Sequence, residues 1–115
     1  MKGSEAEDRA LQHLLSEGHV LLERNFRIRG GEIDLITRDP LGMVVFTEVR
    51  HRSSTLYGHP LETITPRKMK LLWRTALRYL KRDDVACRFD AITITGEVQS
   101  GMLKHEEHIV LDWEH

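Results

Sequence analysis

The stretch Gly30–Arg52, GGEIDLITRDPLGMVVFTEVRHR, carries Glu32, Asp34 and Glu48 among mostly apolar and β-branched residues. Asp39-Pro40-Leu41-Gly42 places Asp at i, Pro at i+1 and Gly at i+3 of a type I turn. In a hairpin such a turn makes a three-residue loop whose last residue is left-handed, here Gly42. That register sets Asp39 against Met43, Ile36 against Phe46, Asp34 against Glu48 and Glu32 against Arg50. Directly opposed residues have Cβ atoms about 4.5–5.5 Å apart, and like charges there destabilise a sheet. Compensation could come from a divalent cation, which suits hard carboxylate oxygens, from a shared proton, or from a nearby arginine. Strand alternation puts Glu32, Asp34, Ile36, Phe46, Glu48 and Arg50 on one face, and Ile33, Leu35, Val45, Thr47 and Val49 on the other, a core face. The plainer alternative is a solvated acidic face in which Arg50 pairs with Glu32. Ile36 and Phe46 argue for a face covered near the turn, with the acids at the edge of a cleft. A one-residue slip would send Asp34 and Glu48 to opposite faces.

A second chemical signal lies between Ile64 and Arg82, where no acidic residue occurs. Arg67, Lys70, Arg74, Arg78 and Lys81 recur every three or four residues and so share one helix face. A stripe of one sign suits backbone phosphates; the alternative is a solvated face paired with acids elsewhere. Arg29, Arg50, His51 and Arg52 add positive charge near the hairpin end. The nucleic-acid contacts expected from this pattern are Arg52, Arg67, Lys68, Lys70, Arg74 and Arg78. Other residues carry weaker signals. His105 and His108 are spaced i, i+3, a pattern more common for exposed histidines than for a metal site. Tyr57-Gly58-His59 lies on a loop that could approach a substrate or be plain surface. Asp90, beside Arg88, reads as a structural ion-pair partner or a support for the site. Cys87 and Trp73 read as core.

These residues need elements to position them. Ala6, Ala10, Leu11, Leu14 and Leu15 recur at helical spacing over Glu5–Glu17. Ser4 and Glu7 form a capping-box pattern, and Gly18 sits where a C′ glycine belongs. Val20–Arg29 reads as a strand with a kink or bulge near Asn25, followed by the hairpin. Ser53–Thr65 is a loop. Thr65 as N-cap and Pro66 at N1 start a second helix ending near Arg82, with Met69, Leu72, Trp73, Ala76, Leu77 and Leu80 as its apolar stripe. Cys87–Glu97 reads as a strand, and Met102–Trp113 holds one more short strand. The order α-β-β-β-α-β-(β) predicts an α/β domain with a mixed central β-sheet flanked by α-helices. The helical crossover permits a parallel pair between the third and fourth strands.

At 115 residues the chain fits one domain, residues 1–115, able to bury a core without a disulfide. Cys87 is the only cysteine. The N-terminus has no apolar signal region and no segment approaches a membrane span, so a cytoplasmic protein with no membrane partner is expected. A net charge of -1 argues against a generally basic nucleic-acid coat but leaves room for a local basic face.

An aspartate on a strand, a hairpin, then Glu-x-basic resembles the PD-(D/E)xK nuclease pattern, here Asp34 and Glu48-Val49-Arg50. The longer strings AEDRALQHLLSEGHVLLERNFRIRGGEIDLI, VVFTEVRHRSSTLYGHPLETITPRKMKLL and CRFDAITI closely resemble the YraN-like family of small bacterial proteins. The resemblance runs from about Ala6 to Ile94 and implies a restriction-endonuclease-like fold, related in architecture to archaeal Holliday junction resolvases. It implies a divalent-metal-dependent endonuclease acting on structured or branched DNA. Its Mg²⁺ or Mn²⁺ would sit on Asp34 and Glu48, and Glu7 matches the position of a third, helical ligand. Such resolvases act as dimers, so a homodimer is implied, although the sequence shows no interface. Arg50 stands where the pattern has a lysine; arginine stays charged and is a poor general base, so Arg50 is expected to hold phosphate. Lys68 matches another family lysine, and the resemblance offers it as a substitute for the missing one. A nucleic-acid-binding module with weak or no catalysis, serving a repair or recombination assembly, is the alternative.

Overall fold

A computed structural model describes residues 4–53, 65–82 and 84–109. The elements are α1 (Ser4–Ser16), β1 (Val20–Ile28), β2 (Gly31–Arg38), β3 (Val44–Arg52), α2 (Pro66–Leu80), β4 (Cys87–Thr95) and β5 (Met102–Glu106). The strands form a five-stranded sheet in the order β1-β2-β3-β4-β5, and β3 and β4 run parallel while the other pairs are antiparallel. The predicted Tyr57-Gly58-His59 loop lies outside the described residues.

Both faces of this sheet are covered. Leu35, Val49 and Ile92 pack with Ala10, Leu11 and Leu14 of α1. Ile33, Ile36, Phe46, Phe89 and Ala91 pack with Met69, Leu72 and Ala76 of α2. The cover expected over Ile36 and Phe46 is there; the correction concerns Ile33, expected on the Leu35 face, which joins Ile36 and Phe46 under α2. The α2 stripe also differs from its pattern. Thr75 is buried, its hydroxyl bonded to the Leu71 carbonyl (2.8 Å), whereas Leu77 is exposed. Gly31 lies directly under Thr75, where a Cβ would collide with the hydroxyl.

The helix ends follow their local chemistry. Gly18, at φ +90, closes α1, with the His19 N–H bonded to the Leu14 carbonyl and the Gly18 N–H to the Leu15 carbonyl. The Thr65 hydroxyl accepts from the Lys68 N–H (3.1 Å) and caps α2. The hairpin turn is the one its residues demand. Gly42 is left-handed at φ +91, and the Asp39 N–H reaches the Met43 carbonyl. The β2–β3 ladder pairs Arg38 with Val44, Thr37 with Val45, Ile36 with Phe46 and Leu35 with Thr47, the predicted register.

Candidate metal centre and cationic helix

The β2–β3 ladder stops at Leu35–Thr47, one pair short of Asp34 and Glu48. Asp34 and Glu48 are thus not a ladder pair, as the simple register predicted, and neither are Glu32 and Arg50. Instead Asp34 turns its side chain into the ladder's place, where Oδ2 accepts the Val49 N–H at 2.8 Å. The cause is a local break in alternation. Ile33 and Ile36, three residues apart, both join the core under α2, while Leu35 joins the other. Opposite Asp34, Asn25 kinks β1 with a left-handed backbone at φ 52, while the pairing on either side keeps its register. The kink expected near Asn25 is there, and a register shift at Leu22 adds to it.

The outcome still brings the two acids together. Burial, then repulsion from Glu48, pushes the Asp34 carboxyl up to about 7, against the lowering effect of the Val49 N–H; Glu7 and Glu32 add smaller repulsions. Glu48 is buried, 8% exposed, and its Oε1 meets two cations, Arg50 Nη2 at 3.5 Å and Lys68 Nζ at 3.6 Å. Glu32 pairs with Arg27 (2.6 Å) rather than with Arg50. The Nε of Arg50 is buried with no hydrogen-bond partner, so its guanidinium has an unused donor. An acceptor such as a phosphate oxygen would suit the rest of that fork.

These residues fit a hard divalent cation: two carboxyl side chains come together, and burial, then their mutual repulsion, makes one of them resist ionisation. Glu7 is less committed to that role. Its Oε1 accepts from Asn25 Nδ2 (3.2 Å) and lies 3.6 Å from Arg24 Nη2, whose nearer partner is Asp8 (2.8 Å). The side chain of Ser4 lies outside the described residues, so the capping box is not part of this picture. Among the described residues no group of three His, Cys, Asp or Glu side chains is close enough together to hold a metal ion. Glu7 would have to leave Arg24 and Asn25 to complete such a set.

The outer face of α2 is cationic. Arg67, Lys70, Arg74 and Arg78 are all exposed. Arg67, Arg74 and Arg78 have no ion-pair partner among the described residues. An open groove of about 650 Å³, lined by Pro66, Arg67, Lys70, Leu71 and Arg74, runs along the helix. The Arg74 guanidinium lies beside the β1–β2 turn at Gly30, which needs glycine at φ +83. Lys68 leaves this row and points to Glu48, which separates its chemistry from that of its neighbours. Arg52 ends β3, half-buried.

A polar network that pattern reading did not assemble joins α1, β4 and β5. Asp90 is fully buried and accepts from Arg88 Nε (3.0 Å) and Nη2 (3.3 Å), from the His108 N–H (2.9 Å) and from His105 Nε2 (2.8 Å). Arg88 also reaches Asp39 at 2.9 Å, and Asp39 holds the N–H groups of Leu41 and Met43 in the hairpin turn. The Arg88-x-Asp90 spacing was the visible signal; the partners lie up to 49 residues away. His105 meets His13 rather than His108.

Residues 6–94 match the model of the uncharacterised protein family UPF0102. The chain belongs to this family. A UPF0102 protein of Deinococcus radiodurans is 50% identical over 107 residues, covering 90% of this chain and 87% of that one. One from Alkalilimnicola ehrlichii is 50% identical over 99 residues (83% and 78% of the two chains), and one from Persephonella marina is 45% identical over 97 (82% and 83%). The family match spans α1 through most of β4, so the acid pair, Lys68 and the cationic face all lie within the UPF0102 region. No described helix is long and apolar enough to cross a membrane.

Proposed function

We propose that the protein is a divalent-metal-dependent endonuclease with a restriction-endonuclease-like fold, related to junction resolvases and acting on branched or structured DNA. The observation that carries this reading is Asp34 held beside Glu48 where β2 and β3 part, with its carboxyl raised to about 7. Asp34 and Glu48 hold Mg²⁺ or Mn²⁺, with Glu7 as a third ligand if it is released from Arg24 and Asn25. The bound cation neutralises charge on the phosphate and lowers the pKa of water. Arg50 orients the scissile phosphate through its guanidinium fork. Lys68, on the same carboxylate, is the group able to exchange a proton, which the Arg50 guanidinium cannot do. Arg52, Arg67, Lys70, Arg74 and Arg78 hold flanking phosphates without reading sequence. A symmetric dimer would present two such sites to a four-way junction.

The second reading is a DNA-binding module without turnover, favoured by Arg50 in the lysine position. Incubating the wild type and Glu48→Gln with a four-way junction and Mg²⁺ or Mn²⁺ separates the two. The nuclease reading expects cleavage that Glu48→Gln abolishes while junction binding persists. Metal-independent binding with no cleavage by either protein would establish the module instead.

A further inference from the structure

The Asp90–His105–His13 chain is separate from the acid pair and has the make-up of a metal site. Asp90 is fully buried and surrounded by donors: Arg88, the His108 N–H and His105 Nε2. Burial pushes its carboxyl up, but these bonds outweigh burial and hold it below the usual range. An ionised Asp90 keeps a proton on His105 Nε2, so in the neutral ring Nδ1 carries the lone pair. That nitrogen faces His13 Nε2 at 3.1 Å, with the rings edge to face. A carboxylate behind a histidine, with the other ring nitrogen turned toward a second imidazole, is the arrangement that orients and strengthens metal-binding imidazoles.

The spacing is also suitable. Two imidazole nitrogens on one tetrahedral ion, at bonds of about 2.0–2.1 Å, stand about 3.3–3.4 Å apart. The pair needs to open by only a few tenths of an ångström, and His13, half-buried near the C-terminal end of α1, can supply that movement.

We propose that His13 and His105 together bind a borderline transition-metal cation of the Zn²⁺ class, positioned by Asp90 and completed by water. No third His, Cys, Asp or Glu among the described residues joins them, so the site is open and exchangeable. Imidazoles select such ions while the Asp34–Glu48 oxygens suit Mg²⁺, so the two sites take different metals. The bound ion would clip α1 to β5. This does not rest on the nuclease reading.

The test removes the acid pair first. Zn²⁺ is titrated calorimetrically into the full chain carrying Asp34→Asn and Glu48→Gln, and into the same chain with His13→Gln added. Nitrogen NMR follows the imidazoles, and circular dichroism checks the fold. The expected result is one Zn²⁺ per chain at micromolar concentration, with His105 Nδ1 and His13 Nε2 moving to metal-bound shifts. His13→Gln should weaken that binding by at least about tenfold, the scale on which metal-site contacts matter, with the fold intact. Binding unchanged by His13→Gln would overturn the proposal. So would absence of micromolar binding with the two rings still sharing only a proton.

Discussion

Asp34 links the chemistry of the acid pair to stability through one proton. Its folded pKa of about 7 lies above the ordinary aspartate value of 3.8. Between about pH 4 and 7 the folded protein therefore keeps a proton that the unfolded chain has released, and stability falls as pH rises across that window. Asp34→Asn removes the titration. It should raise stability at pH 8 by on the order of 2–4 kcal/mol, and at pH 4 should change it little apart from any weakening of the Val49 bond. Denaturant melts of both proteins at the two pH values check this, and equal differences at both would contradict the assigned titration. A cation competes for the same carboxylate. Mg²⁺ affinity should climb by up to about tenfold per pH unit below 7 and level off above it, which calorimetry across pH 5.5–8 measures. The closeness of Asp34 and Glu48 was legible in the sequence because Asp-Pro-Leu-Gly fixes the turn. The exit of Asp34 from the ladder was not, because it comes with a bond between its own side chain and the β3 backbone, 15 residues away.

Among the elements, local signals proved legible and packing choices less so. The Thr65 cap, the Gly18 and Gly42 turns and the parallel β3–β4 crossover all follow from residue type and chain order. Binary patterning put Leu77 in the core where Thr75 belongs, because a threonine that satisfies its hydroxyl on the preceding turn is as buriable as an apolar residue. It also fits against Gly31, where β2 and α2 come closest. Gly31→Ala should force the two apart and cost about 1–3 kcal/mol, the usual penalty of overpacking. Thermal melts measure the loss, and Gly31→Ala with Thr75→Ala should recover part of it because the colliding hydroxyl is gone. No recovery would mean that the backbone around Gly31, rather than Thr75, sets the approach.

At the scale of the whole molecule, the net charge of -1 and a one-sided helix act together. A uniformly basic protein would coat any polyanion. Here the acids of α1 are partly consumed by Arg24, and Arg88 is consumed by Asp39 and Asp90, which leaves α2 as the concentrated cationic surface. Mixed-sign charge elsewhere gives the phosphate backbone no net attraction, so DNA should engage mainly along α2, from the acid pair outward over Arg74 and Arg78. Each phosphate neutralised on a duplex contributes about 0.9 to the slope of log affinity against log salt. Replacing Arg67, Arg74 and Arg78 by glutamine should reduce that slope by up to about 3 and weaken binding uniformly across sequences. Fluorescence anisotropy with one duplex and one four-way junction over 50–200 mM salt supplies the slopes. A triple variant whose slope equals that of the wild type would place the phosphates elsewhere on the molecule. A slope that falls while the junction remains preferred over the duplex would assign backbone grip to α2 and branch recognition to the region around the acid pair.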